Sequence, residues 1–98
     1  MRQLKITAPA CQDLNDIAEY FLERSVDAGD RFVTSFNQKC KHLSQFPHIG
    51  KRYEQLKAGI RGIGLMGYII FYRVTDDTVE ILRVVRGDRN LPKLIGDS

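Results

Sequence analysis

The 98 residues include no tryptophan, only two cysteines and two histidines, and three prolines. Each shortage excludes something. Cys11 and Cys40 cannot supply the disulfide framework of a small secreted domain, and a cytosolic setting would keep them reduced. Cys40, His42 and His48 lie near one another, but a structural zinc site takes four ligands in recognisable pairs. Cys40 falls on the apolar stripe of a helix and His42 lies roughly 200° around the axis, so the two diverge. No metal and no cofactor are expected. No apolar run approaches the roughly 20 residues of a membrane span. The opening Met-Arg-Gln-Leu-Lys lacks the roughly 7–15 apolar residues of a signal peptide. The expectation is a cytoplasmic protein with no membrane partner.

Charge of one sign is also scarce, with a net of +3 from 15 basic and 12 acidic residues. That is low for a protein that must hold a large RNA by its phosphates. The excess is uneven. Residues 1–49 carry six basic and six acidic groups, whereas residues 50–98 carry nine and six. Between Ile81 and Lys93 stand Arg83, Arg86, Arg89 and Lys93 against Asp88 alone. The hydrophobic share of 43% suffices for one core, so a single domain over residues 1–98 is expected.

The apolar periodicity defines the elements. Gln3 to Thr7 alternates as a first strand. Ala8 to Glu23 places Leu14, Ile17, Ala18 and Phe21 on one helical face, with Pro9 tolerated in the first turn. Asp13, Asp16, Glu19 and Glu23 read as a solvated face, and Cys11 as inward. Asp27 is the expected N-cap of a second helix, whose stripe is Phe32, Val33, Phe36, Cys40 and Leu43. Phe46-Pro47 ends it. After a loop from Pro47 to Ala58, strands are expected over 59–65, 67–74 and 79–86, joined by turns short enough to require an antiparallel meander. Tyr68 to Tyr72 is apolar on both faces, as in a central strand. Leu91 to Ile95 reads as a last turn of helix or a tail. The fold class is α+β in the order β-α-α-β-β-β: an antiparallel helical hairpin on a small, mainly antiparallel four-stranded sheet.

Gly59, Gly62, Gly64 and Gly67 crowd together, but no helix opens after them to present N–H groups to a phosphate. They read as places of close backbone approach or an edge bulge. The arginines say more. Arg61, Arg73, Arg83, Arg86 and Arg89, with Lys93 beyond, lie on or after the strands. Alternation puts Arg83 and Arg86 on opposite faces. Arginines on a face without helices would form a positive surface suited to phosphates or carboxylates. Pairing with Asp76, Asp77 or Glu80 is the alternative for any one of them.

Several segments together resemble the RelE/ParE superfamily of bacterial toxins, and its ParE-like members more closely. These are Asp13-Leu14 and Ile17-Ala18-Glu19-Tyr20, Phe46-Pro47-His48-Ile49-Gly50, Gly59-Ile60-Arg61, the run Tyr68 to Val74, and the run Val79 to Gly87 followed by Arg89 and Leu91. The resemblance implies the toxin of a type II toxin–antitoxin pair. ParE-like toxins block DNA gyrase and so replication. A ParD-like ribbon-helix-helix antitoxin neutralises them, in a groove of the helical hairpin and sheet edge. DNA is then met only through the antitoxin or the gyrase complex. RelE-like toxins instead cut messenger RNA on the ribosome, and Arg61 and Arg83 match positions where they carry arginines. An inactive remnant that only binds antitoxin is a third possibility.

Nuclease chemistry needs a base, an acid and cations for the phosphorane. Many family members have a histidine where this chain has Arg86, and arginine is a poor proton shuttle. No tyrosine follows Tyr72. The expected activity is therefore gyrase binding without catalysis. The expected target contacts are Arg61, Arg73, Arg83, Arg86, Arg89 and Lys93.

Overall fold

A computed structural model describes residues 2–87. Arg89, Lys93 and the expected turn at Leu91 to Ile95 lie outside the described residues. The elements are β1 (Gln3–Ile6), α1 (Ala8–Leu22), α2 (Val26–Gln45), β2 (Lys51–Arg52), β3 (Ile60–Leu65), β4 (Tyr68–Val74) and β5 (Thr78–Arg86). Thr7 caps α1 by accepting a hydrogen bond from the Ala10 amide. Ser25, rather than the expected Asp27, caps α2 by accepting from the Ala28 amide. Asp27 instead sits in the first turn, where a carboxylate favours the positive end of the helix dipole.

The sheet has five strands in the order β1-β5-β4-β3-β2, not four. The additional strand is Lys51–Arg52, paired antiparallel with Arg61 and Gly62. Two residues carry no periodicity, so only the pairing reveals it. β1 joins β5 in parallel, and the remaining pairs are antiparallel. Met66 and Gly67, both at positive φ, form the tight turn between β3 and β4. As expected, β4 is the central strand.

The helical hairpin packs on one face of the sheet. Phe32, Phe36, Cys40 and Leu43 of α2 and Ala10 and Ile17 of α1 meet Ile70, Tyr72, Val79, Ile81 and Val84. Val33 and Cys11, expected inside, are exposed. The other face is not bare. Ile60, Phe71 and Val85 are buried there beneath Tyr53 and Leu56 of the segment between β2 and β3. A Cβ on Gly62 would lie 2.7 Å from the Tyr53 ring, so glycine lets that ring settle on the sheet.

The register between β4 and β5 shifts at Phe71/Tyr72: Phe71 faces Arg83 while Tyr72 faces Ile81, leaving Leu82 as the extra residue. The shift turns Val84 toward the helices, although Leu82, two residues earlier, packs on the other face.

Candidate functional site

Two edges of the sheet carry most of the polar structure. At the first, β1 ends opposite Ile81 and would leave the rest of β5 with an open edge. The start of α1 covers it. The Thr7 amide donates to the Ile81 carbonyl (3.1 Å) and the Thr7 hydroxyl to the Leu82 carbonyl (3.1 Å). Asp13 Oδ2 accepts from the Val84 amide at 3.0 Å. The same carboxylate takes Arg83 in a two-pronged contact, Nε to Oδ2 at 2.7 Å and the terminal nitrogen to Oδ1 at 3.0 Å. Donating to the Asp13 carboxylate holds the Arg83 guanidinium above its ordinary pKa, against the opposing effect of burial. Asp13, with 15% of its side chain exposed, is thus not part of a solvated acidic face. Ala10, Asp13 and Ile17 lie three and four residues apart, on one side of α1, and this spacing is the signal that could have found it.

A cleft of about 430 Å³ opens beside this pair, lined by Asp13, Asp16, Tyr20, Tyr68, Arg83 and Arg86 among others. Register sets Arg83 and Arg86 on opposite faces, yet both line this cleft, because the Arg83 side chain meets α1 at the sheet edge. A second cleft of about 450 Å³ shares Tyr20, Tyr68 and Arg86 and adds Phe21 and Arg24. The Arg24 guanidinium bonds the Tyr20 hydroxyl and lies 4.3 Å from the centre of its ring. Tyrosines and arginines side by side in a cleft are the residue types that dominate protein-binding hot spots.

At the second edge lies the loop after α2. Tyr72, deep in the core, donates its hydroxyl to the Pro47 carbonyl at 2.7 Å and accepts the Gly50 amide at 2.9 Å. Arg61 donates to the carbonyls of His48 (3.1 Å) and Gly50 (2.9 Å). A Cβ at position 50 would lie 2.4 Å from the Tyr72 hydroxyl, so the loop closes only with glycine. Burial raises the Tyr72 pKa, with the Gly50 amide and the Arg61 charge opposing it. Tyr72 is not among the candidates expected from sequence, and its one signal is a hydroxyl in the apolar middle of its strand. A cleft of about 190 Å³ beside the loop is lined by His48, Arg52, Glu54 and Arg61 among others.

Arg83 and Arg86 thus share a cleft, but among the described residues the expected arginines do not all converge. Arg61 and Arg83 line different clefts and hold different partners. Arg73 pairs with Glu80 at 2.7 Å, one of the alternatives anticipated for it. Among the described residues no three or more His, Cys, Asp or Glu side chains gather as for a metal. His42 is exposed, while burial pushes the Cys40 thiol up to about 11. No helix among the described residues is long and apolar enough to cross a membrane.

Two helices on one face of this mixed five-stranded sheet define the fold of ParE-like toxins. The profile of the family described as ParE toxin of type II toxin-antitoxin system, parDE, matches residues 4–91, and the chain belongs to that family. It is 28% identical over 97 residues to Toxin ParE1 of Caulobacter vibrioides, covering 98% of this chain and all of that one. It is 28% identical over 85 residues to Toxin RelE3 of the same organism, covering 86% and 92%. With Toxin ParE1 of Mycobacterium tuberculosis it shares 27% over 93 residues, covering 88% and 95%. A solved structure described as a chromosomal ParDE TA system from P. aeruginosa superimposes with a TM-score of 0.73 at 25% identity. That match covers 88% of this chain and 96% of the other. The protein is a toxin of a type II toxin–antitoxin system.

Proposed function

We propose that this toxin arrests growth by binding DNA gyrase and blocking its cycle, without catalysing a reaction itself, and that a ParD-like antitoxin neutralises it. The dispersal of Arg61 and Arg83 carries the reading. Cleavage through a phosphorane asks cations to converge on one phosphate. Here each guanidinium is spent on its own chain, one on loop carbonyls and one on Asp13, in separate clefts. The match to a ParDE system supports the antitoxin as partner. The adjoining clefts walled by Tyr20, Tyr68 and Arg86 suit an antitoxin segment. Arg86, Arg89 and Lys93 remain proposed target contacts, together with Arg73 and the exposed margins of Arg61 and Arg83.

One observation favours a second reading, a ribosome-dependent endoribonuclease: His48 and Glu54 share a cleft with Arg52 and Arg61. Supercoiling of relaxed plasmid by purified gyrase separates the two. The gyrase reading expects supercoiling to stop as toxin is added. Normal supercoiling at toxin excess, with codon-linked breaks in translated messages that disappear in His48→Ala, would overturn it.

A further inference from the structure

The loop between α2 and β2 is more firmly held than a connector requires. Phe46 to Ile49 is a tight turn, closed by the Ile49 amide on the Phe46 carbonyl at 3.3 Å. Tyr72 and Arg61 then engage the carbonyls of Pro47, His48 and Gly50 and the amide of Gly50. Four hydrogen bonds to two side chains thus fix the backbone at three positions of the loop, Pro47, His48 and Gly50. Pro47 and Gly50 are buried, but the side chains at the two ends of the turn point outward. Phe46 is 56% exposed and Ile49 is 46% exposed. Directly after them come Lys51 and Arg52, both exposed, on the last strand of the sheet. From Lys51 to Lys57 there are three cations and one acid, Glu54.

Exposed large apolar groups on a rigid backbone are expensive to keep in water and lose little conformational entropy on binding. We infer that the Phe46–Ile49 turn is a docking knob, which inserts Phe46 and Ile49 into an apolar pocket with an acidic rim on the toxin's protein target. The inference rests on the reading that the target is a protein, namely gyrase, and it locates a contact apart from the strand and tail arginines. Charge decides the occupant. A second copy of this chain would set Lys51 and Arg52 against themselves, because a two-fold contact matches a patch to itself. A nucleic acid would use the cations, but Ile49 offers no face on which a base can stack. Tyr72 and Arg61 act as positioning residues for the knob.

The test compares the full-length wild type with F46S/I49S, K51E/R52E and Tyr72→Phe, each first shown folded by circular dichroism and a thermal melt. Growth arrest on induction and the toxin concentration that half-inhibits gyrase supercoiling are the readouts. F46S/I49S should lose growth arrest and raise the half-inhibiting concentration by about tenfold or more, as for truncated hot spots. Tyr72→Phe should raise it several-fold and speed hydrogen exchange of the Gly50 amide. A folded F46S/I49S that still arrests growth overturns the inference. K51E/R52E should raise the half-inhibiting concentration by less than F46S/I49S, because its cations meet only the acidic rim. A K51E/R52E that loses arrest while F46S/I49S keeps it overturns the inference and assigns the surface to phosphates, and a wild-type dimer in sedimentation that F46S/I49S abolishes overturns it too. If the wild type arrests growth without affecting supercoiling, the gyrase reading fails, while growth arrest by F46S/I49S still decides the knob. A wild type that does not arrest growth overturns both.

Discussion

The two polar edges of the sheet solve the same problem with opposite electrostatic results. At the β5 edge, Arg83 is held by a carboxylate, so its charge is locally cancelled and Asp13 also closes the strand edge. At the loop edge, Arg61 is held by carbonyls, which accept its hydrogen bonds without cancelling its charge. The first arrangement locks structure. The second locks structure and leaves a positive group beside Arg52. An arginine's role therefore follows from its acceptor more than from its place in a cluster of cations.

Substitutions at four positions sharpen this contrast. The largest effect is expected from Gly50→Ala, whose Cβ would collide with the Tyr72 hydroxyl and ring at 2.4–2.9 Å. Overpacking typically costs about 1–3 kcal/mol, and a clash with a buried, hydrogen-bonded ring belongs at the upper end, about 3 kcal/mol. A melt should show the loss, and the double variant with Tyr72→Ala, which removes the ring, should recover part of the coupling.

Next is Asp13→Ala, which strips Arg83 and the Val84 amide of one shared acceptor. Hydrogen bonds to charged groups contribute about 1.5–3 kcal/mol each in such series. With 29% of Arg83 exposed, we expect a total of about 2–3 kcal/mol by urea unfolding. Asp13→Asn should lose roughly half as much, because it retains an acceptor.

Tyr72→Phe keeps the packing but orphans the Gly50 amide and the Pro47 carbonyl, at about 2 kcal/mol. The two edges should separate in salt. The Asp13 effect should shrink at high ionic strength, whereas the Tyr72 effect, from neutral hydrogen bonds, should not. Alkaline pH offers a second separation. The folded Tyr72 hydroxyl has a pKa above the ordinary 10.0, so the unfolded chain loses that proton first. Stability from this group is full below about 10 and falls as pH rises through the folded value, and this part of the loss should vanish in Tyr72→Phe. The smallest effect is expected at Arg73→Ala. Its pair with Glu80 is solvent-exposed, so a melt should register at most about 1 kcal/mol.

The helices and the three long strands were legible because amphipathic periodicity is a property of local sequence. The central position of Tyr68 to Tyr72 was legible for the same reason. What failed depended on distant partners. Lys51–Arg52 is a strand only because β3 lies alongside it. Val33 and Cys11 lie at the margins of their helical stripes, where packing decides exposure. The face opposite the helices looked bare because nothing local announces that Tyr53 and Leu56 fold over it. Alternation along β5 failed at Leu82, since a bulge belongs to a pair of strands rather than to one. At the candidate site the arginines were easy to list and their acceptors were not. Asp13 and Arg83 are 70 residues apart, and Tyr72 reaches 22 residues back to Gly50.

The most direct measurement is the state of plasmid DNA incubated with gyrase, ATP and the purified wild-type toxin. The expected result is inhibited supercoiling, with linear plasmid appearing after detergent and protease as gyrase is held with its DNA cleaved. Fully supercoiled plasmid at a tenfold excess of a toxin preparation that arrests growth would contradict it.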